Sequence, residues 1–253
     1  MPAVPPHLNF PSCLRRLPTF PWTVCSKRAT WLAQQSNVDA AQIAVYGVSK
    51  GAEFALIAST RMLWIKAMVA LVPSDVVWEG WGPGADNGER PSFSWNGEPL
   101  SYVPYLDFAG EFDGLRTNTP VIVRRPQDRG LAANPDRVPT ARISVERYAG
   151  PMLLVAGIND QLWDFGGMPT SIAAARNKHR AAPPLLTQTP ITQTLIYPDA
   201  GHLISGNGWQ PTTQCNVSFS KVGGTLQGIA HAQADAWPKS LAFLKHYLGP
   251  VPR

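Results

Sequence analysis

Cysteine is scarce in this chain of 253 residues, which has only Cys13, Cys25 and Cys215, far apart from one another. An odd number of dispersed cysteines argues against a disulfide framework, and their spacing does not fit a zinc site. No dinucleotide-binding fingerprint is present either. We therefore expect a protein of a reducing compartment such as the cytoplasm, with no metal and no organic cofactor.

Long apolar runs are also missing, although 44% of the residues are hydrophobic. A membrane-spanning helix needs roughly 20 consecutive apolar residues, and no stretch of this sequence approaches that length. Residues 1–18 lack the apolar segment of a signal peptide. The composition predicts a soluble protein with a sizeable core and no membrane span.

Dense charge of one sign is the third absence. The net charge is +5, but the cationic residues are scattered along the chain in small groups at 15–16, 27–28, 124–125 and 178–180. Nucleic-acid-binding proteins concentrate such charge on one surface, so we expect no nucleic-acid partner. A mildly basic, solvated surface is the simpler interpretation, and attraction of anionic substrates such as phosphorylated acyl carriers is the alternative.

Strand and helix patterns alternate along most of the chain. Residues 1–25 are proline-rich and predict an N-terminal arm, and residues 26–253 predict one catalytic domain. Strands are predicted at 43–48, 67–74, 151–160 and 192–202, and helices at 26–36, 49–60, 170–180 and 234–248, with Pro238 at a kink or a helix start. Residues 75–140 predict a long irregular insertion after the second strand. This order indicates an α/β fold with a mostly parallel sheet in three layers.

The segment Gly47-Val48-Ser49-Lys50-Gly51 lies between the first strand and the helix that follows it. A tight strand-to-helix turn of this kind holds a serine in a strained conformation, and we expect side chains at positions 47 and 51 to collide with neighbouring backbone. The turn would present Ser49 as a nucleophile and the Lys50 backbone N–H to a developing oxyanion. The alternative is an ordinary helix N-cap at Ser49.

A serine nucleophile needs a histidine base and a carboxylate that orients the base. Asp160 ends the strand-like segment "LLVAGIND" and His202 ends "LIYPDAGH", in the order serine, acid, histidine. These three residues predict a serine hydrolase. The weaker candidates are Asp164 and Asp199 for the acid and, among the other histidines, mainly His231, with His7, His179 and His246 interpreted as surface or leader residues.

Aromatic residues are frequent in the insertion and provide candidates for substrate binding. Trp78 and Trp81 are predicted to contact an acyl or aryl group, and Trp163 to form a wall of the pocket. Packing of these side chains against the domain is an equally good interpretation. The Lys50 side chain could approach a substrate phosphate, although a lysine at a helix start is more often solvated.

Several segments together resemble one family: "GVSKGAEFAL", "VERYAGPMLLVAGINDQLW", "YPDAGH" and "GGTLQGIAHAQADAWPKSLAFLKHYL". They are similar to the catalytic domain of type I acyl-CoA thioesterases and bile acid-CoA:amino acid N-acyltransferases, in the dienelactone-hydrolase-like branch of the α/β-hydrolases. The resemblance covers roughly residues 26 to 248. It implies a three-layer α/β-hydrolase fold, with Ser49 as nucleophile, Asp160 as orienting acid and His202 as base.

The nucleophile distinguishes two activities in this family. The N-acyltransferases carry cysteine where this chain has Ser49, so the resemblance implies transfer of the acyl group to water. The expected reaction is hydrolysis of acyl-CoA-like thioesters or carboxylic esters through an acyl-serine, with a small-molecule substrate as partner. The alternatives are a catalytically silent binding module and an N-acyltransferase.

Residues 1–40 contain no series of strand-like segments, whereas an α/β-hydrolase places several strands before its nucleophile. We therefore expect the N-terminal part of the sheet to be shortened, missing or supplied by another chain, together with the loop that normally provides a second oxyanion donor. An exposed sheet edge invites pairing, so reduced stability or a homodimer through that edge is predicted.

Overall fold

The computed structural model describes residues 20–21, 23–80, 90–164, 167–180, 191–206, 216–217 and 220–249. Most of the predicted N-terminal arm, and also Trp81, lie outside these residues. Within the described part, no helix combines the length and the apolar character needed to cross a membrane.

A four-stranded sheet forms the centre of the molecule. Its strands are β2 (Ile43–Val48), β3 (Ile65–Leu71), β6 (Met152–Gly157) and β7 (Thr192–Tyr197), in the spatial order β2-β3-β6-β7. All neighbouring pairs are parallel, as in Tyr46 opposite Val69 and Leu154 opposite Thr194. This arrangement confirms the predicted fold class.

Helices cover both faces of the sheet because the central strand β3 is apolar on both sides. Ala67, Val69 and Leu71 belong to a core that includes residues of α7 (Leu226–Leu248), whereas Met68 and Ala70 belong to a second core. The second core contains apolar residues of α2 (Lys50–Ser59) and α6 (Met168–Arg180). The alternation of side chains along β3 therefore produces the three layers.

Helix α7 begins at Leu226, earlier than the residue 234 predicted from the sequence. The Thr225 hydroxyl accepts a hydrogen bond from the Gly228 N–H at 2.9 Å and caps the helix. Pro238 lies inside the helix, so its interpretation as a helix start was wrong. Helix α1 precedes the central sheet in the chain and spans Thr23–Ala33.

The predicted insertion is more regular than expected. Between β3 and β6 the chain forms β4 (Phe93–Trp95), β5 (Glu98–Pro99), α3 (Phe108–Asp113), α4 (Arg124–Ala133), α5 (Val138–Ala141) and 3₁₀ turns at Gly114–Thr117 and Val145–Arg147. The prediction of an irregular segment was wrong because its short elements carry too few residues for a clear periodicity. Two-residue strands complete the set: β1 (Phe20–Pro21) pairs with β4, and β8 (Asn216–Val217) pairs with β9 (Ser220–Lys221).

Strand β2 lies at one edge of the central sheet, among the strands that the structure describes. Tyr46 on this strand is 38% exposed and packs edge-on against Trp237, with ring centroids 6.0 Å apart. A homodimer through this edge stays a prediction.

Candidate active site

Ser49 occupies the sharp turn between β2 and α2. Its backbone has φ 56° and ψ −123°, a conformation that costs a non-glycine residue on the order of 1–3 kcal/mol. The Ser49 N–H donates to the Leu71 carbonyl oxygen at 2.9 Å, which ties the turn to the neighbouring strand β3. The surrounding sheet therefore holds the strained turn in place.

The two glycines of the turn differ in their surroundings. A Cβ atom on Gly47 would lie 2.2 Å from the Gly51 carbonyl oxygen and 2.9 Å from the Ala52 Cα. A Cβ atom on Gly51 would meet nothing within 4 Å. The expected crowding therefore exists at Gly47, and the expectation for Gly51 was wrong because its position faces open space.

Replacing Gly47 by alanine should damage the fold, whereas the same change at Gly51 should not. The added methyl group at position 47 can only be accommodated by moving backbone atoms, so we expect Gly47→Ala to lower the free energy of unfolding by about 3 kcal/mol or more. Gly51→Ala is the matched control and should be neutral or slightly stabilising, because alanine favours a helix. Chemical denaturation of both variants tests this. Equal losses of stability would contradict it.

The side chains of Ser49, His202 and Asp160 form a continuous chain of hydrogen bonds. The distance from Ser49 Oγ to His202 Nε2 is 2.8 Å, and the distance from His202 Nδ1 to Asp160 Oδ2 is also 2.8 Å. Ser49 follows β2, Asp160 follows β6 and His202 follows β7, so all three lie at the carboxyl edge of the parallel sheet. The structure thus brings the three predicted residues together, and their catalytic roles stay a prediction.

Asp160 is fully buried and is held by more than the histidine. Its Oδ1 atom accepts a hydrogen bond from the Leu162 N–H at 2.6 Å. Burial raises the pKa of the Asp160 carboxyl, and His202 together with the N–H groups of Leu162 and Trp163 opposes that rise. A buried carboxylate with these partners is well placed to orient an imidazole ring.

His202 is fixed on several sides. Its backbone N–H donates to the Val222 carbonyl oxygen at 2.9 Å, and its ring meets the edge of Trp163 at a centroid distance of 5.8 Å. The Trp163 indole N–H donates to the Val72 carbonyl oxygen at 3.1 Å, so the tryptophan is itself fixed. Trp163, predicted as a pocket wall, is a buried neighbour of the histidine.

The segment 222–224 fastens the two loops that carry Asp160 and His202. Asp160 forms an antiparallel bridge with Gly223, and Ala200 forms one with Gly224. Both glycines have positive φ, and a Cβ atom on Gly223 would lie within 1.9 Å of the Asn159 carbonyl oxygen. The sequence reasoning did not assign this role, although the Gly-Gly pair before a capped helix was a signal that could have indicated a tight approach.

The weaker candidates for the acid and the histidine base contact other groups. Asp164 pairs with Arg124 at 3.1 Å, and the Asp199 carbonyl oxygen accepts from the N–H of Thr225. His231 packs edge-on against Tyr197, with ring centroids 5.8 Å apart. His246 packs against Tyr247 in the same way. Among the described candidates, Asp160 and His202 are the ones that hydrogen bonds connect to Ser49.

Residues 26–250 match the family model described as "BAAT / Acyl-CoA thioester hydrolase C terminal". The chain belongs to this family. A curated relative, the peroxisomal succinyl-coenzyme A thioesterase of Mus musculus, is 31% identical to this chain over 128 residues. The aligned region is 47% of this chain and 26% of that protein. This chain therefore aligns with about a quarter of the length of the curated relative.

Solved structures are also similar to this domain. The acylaminoacyl peptidase of Pyrococcus horikoshii is 10% identical, with a TM-score of 0.50, over 91% of this chain and 28% of that one. A Klebsiella pneumoniae protein assigned as a dienelactone hydrolase is 14% identical, with a TM-score of 0.44, over 88% of this chain and 60% of that one. At such low identity the first of these matches supports the α/β-hydrolase fold alone.

Trp78, predicted to bind substrate, lies in the core. It is fully buried, its indole N–H donates to Ser74 Oγ at 2.9 Å, and its ring stacks on Tyr105 at 5.3 Å. These contacts favour the packing interpretation for Trp78. Trp81 lies outside the described residues.

Next to the nucleophile, Lys50 and Glu53 form an ion pair. Lys50 Nζ lies 2.7 Å from Glu53 Oε2, and the other oxygen of Glu53 accepts from the Trp78 N–H at 3.1 Å. Burial lowers the pKa of Lys50 and raises that of Glu53, while the attraction between the two charges opposes both shifts. The side chain of Lys50 is thus engaged with Glu53 rather than simply solvated.

A buried polar cluster adjoins this ion pair. Glu79 is 5% exposed and its Oε2 atom has no hydrogen-bond partner among the described residues, as is true of the Tyr105 hydroxyl and the Gln127 amide. Burial raises the pKa of Glu79 to about 7, although Lys50, Arg137 and the Tyr105 N–H oppose that rise. Glu79 therefore keeps its proton in the folded protein at a pH at which it is ionised in the unfolded chain.

This raised pKa predicts a pH-dependent stability. The Glu79 contribution is fully present below the unfolded value of 4.5 and is lost as pH rises through about 7, because ionisation is penalised only in the folded state. Glu79→Gln should remove this loss, so the variant should gain up to about 3 kcal/mol on the wild type between acidic pH and about pH 8. Urea denaturation across pH measures the difference. Glu98→Gln, at an exposed site, is the control. A difference that does not change with pH would contradict the prediction.

Proposed function

We propose that this chain is a serine hydrolase that cleaves acyl thioesters of the acyl-CoA kind, or carboxylic esters, through an acyl-serine intermediate. The observation that carries the proposal is the hydrogen-bonded series from Ser49 Oγ through His202 to Asp160, with both distances at 2.8 Å. The proposed catalytic domain is residues 26–253, with the insertion at about 75–140.

In the first half of the reaction, Ser49 Oγ attacks the carbonyl carbon while His202 Nε2 takes the hydroxyl proton. The oxygen of the tetrahedral intermediate becomes negative and receives a hydrogen bond from the Lys50 N–H, at the first turn of α2, where backbone donors lack helical partners. Collapse breaks the bond to the leaving group, which departs with the proton from His202. Asp160 stabilises the transient imidazolium.

In the second half, water replaces the leaving group. His202 takes a proton from the water as its oxygen attacks the acyl carbon, and a second tetrahedral intermediate forms. Its collapse releases the carboxylic acid and returns the proton to Ser49 Oγ. The two halves balance as hydrolysis of one ester or thioester bond, with no other reactant.

Thioesters are the first choice of substrate for two reasons. The family description includes acyl-CoA thioester hydrolases, and the mouse relative is named as a succinyl-coenzyme A thioesterase. The identity of the acceptor is a separate question. The N-acyltransferases that this chain resembles carry cysteine as the nucleophile, so Ser49 favours water over an amine as the acceptor of the acyl group.

A panel of p-nitrophenyl esters and acyl-CoAs, combined with a serine-directed fluorophosphonate, tests the proposal. We expect turnover of at least one substrate class and covalent labelling that maps to Ser49. With glycine or taurine added, the product should remain the free acid. Labelling at another residue, or a folded protein that neither turns over substrate nor is labelled, would overturn the proposal. An amide product would establish acyl transfer instead.

A further inference from the structure

A polar groove lies beside α2 and is formed by residues other than those of the candidate active site. Its walls come from the C-terminal end of α2 and the residues just after it, from residues 99–101 at the end of β5, and from residues 140–147. The cavity has a volume of about 280 Å³. Ser49 lies at the N-terminal end of the same helix, and neither it nor Asp160 nor His202 lines the groove.

Three arginines line this groove, and they differ in their partners. Arg142 is neutralised, since its Nη1 atom lies 2.5 Å from Asp75 Oδ2 and 2.7 Å from Ser171 Oγ. Arg61 and Arg147 have no carboxylate partner among the described residues. The groove therefore carries two cationic groups that the described part of the protein does not neutralise.

The two unneutralised arginines are close enough to repel each other. Burial lowers the pKa of Arg61, and the charge of Arg147 lowers it further. The Arg61 guanidinium also lies 5.1 Å from the centre of the Trp95 ring, which holds it at the groove. Because like charges held together destabilise the empty site, an anion between them would gain more than it would from an isolated arginine.

The rest of the lining suits an anion as well. Ser101, Thr140 and Ser144 also line the groove. The Thr140 hydroxyl donates to the Arg137 carbonyl oxygen at 2.9 Å, so the hydroxyl groups of Ser101 and Ser144 are the candidate donors to an anion. Guanidinium forks bind phosphate oxygens in pairs, and hydroxyl groups supply further donors. A phosphate or pyrophosphate group carries enough charge to match both arginines, whereas a carboxylate would match only one.

We propose that the groove between α2 and residues 140–147 is a binding site for a phosphate or pyrophosphate group, held mainly by Arg61 and Arg147. The site is separate from the candidate active site, and the proposal does not depend on the hydrolase activity. The phosphate could belong to a small soluble molecule or to a lipid headgroup, which present the same chemistry to the arginines.

Titration calorimetry with inorganic pyrophosphate tests the site. We expect the wild type to bind, and Arg61→Gln and Arg147→Gln each to weaken binding about tenfold or more, as for the loss of a charge-assisted hydrogen bond. Arg28→Gln, on the exposed side of α1, removes the same charge and should leave binding unchanged. Circular dichroism shows whether each variant is folded. Because the two arginines are replaced in separate variants, the test still works if one variant does not fold.

The source of the phosphate is tested with vesicles. Sedimentation with phosphatidylcholine vesicles that contain phosphatidic acid, but not with phosphatidylcholine alone, would identify a lipid headgroup if Arg61→Gln abolished it. Pyrophosphate binding without sedimentation would identify a soluble ligand. The proposal is overturned if the wild type binds neither probe, if Arg28→Gln weakens binding as much as the groove variants, or if only one groove arginine matters.

Discussion

Replacing Ser49 by alanine is expected to lower kcat by about 10⁴–10⁶-fold on whichever ester or thioester the wild type hydrolyses best. The Ser49 Oγ atom is the proposed nucleophile, so the alanine variant cannot form the acyl-serine intermediate. The remaining rate would come from binding and from the oxyanion donor. Steady-state kinetics and the loss of fluorophosphonate labelling measure the effect together.

Ser59→Ala is the matched control, because Ser59 lies on the same helix and its hydroxyl only donates to the Ala55 carbonyl oxygen, at 2.8 Å. That variant should keep its kcat within a few-fold of the wild type, and thermal unfolding should show that both variants are folded. Unchanged turnover in a folded Ser49→Ala protein would mean that another group performs the reaction.

Asp160→Asn is expected to lower kcat by about 10⁴-fold while leaving the fold intact. In the proposed mechanism the carboxylate accepts the Nδ1 proton of His202 and so keeps Nε2 free to accept the proton of Ser49. An asparagine amide can donate to Nδ1 instead, and the histidine would then present a protonated Nε2 to the serine. The variant also removes a buried charge, so the free energy of unfolding should not fall.

Asp164→Asn controls for the general effect of removing a nearby carboxylate. Asp164 is 39% exposed and pairs with Arg124, so this variant should retain nearly full activity. The combination of lost kcat and retained stability would distinguish an orienting role for Asp160 from a merely structural one. If Asp164→Asn were the variant that lost activity, the assignment of the acid would be wrong.

The sequence predicted that Ser49, Asp160 and His202 would meet because all three follow strand ends, and their catalytic roles stay a prediction. Ser49 directly follows β2, and Asp160 and His202 lie in the loops after β6 and β7, which parallel strands bring to one edge of the sheet. The roles of Glu53 and of segment 222–224 were not predicted. They depend on contacts between distant parts of the chain, such as Glu53 with the Trp78 N–H, and no local pattern encodes those contacts.

The outline of the fold could also be predicted from the sequence, and the errors in that prediction have local causes. Strands β3 and β6 were found because almost all of their residues are apolar and buried. Strands β2 and β7 are only partly buried and were found from their β-branched, aliphatic and aromatic residues. The start of α7 was placed too late because Ala, Gly and Gln dominate its first turns and give little apolar periodicity, although Thr225 was a cap signal. Trp78 could be assigned to a pocket or to the core from its type alone, and only its burial separates the two.

The fastening of the Asp160 and His202 loops by segment 222–224 has a consequence for the order in which the molecule matures. Ser49 and His202 are 153 positions apart, and the segment that secures the His202 loop follows them both. No early portion of a growing chain can therefore contain a finished site, and contacts at such separation form slowly. During synthesis or refolding, helix α2 can form long before the three side chains meet. Recovered turnover would then be a late marker of maturation, and helical signal an early one.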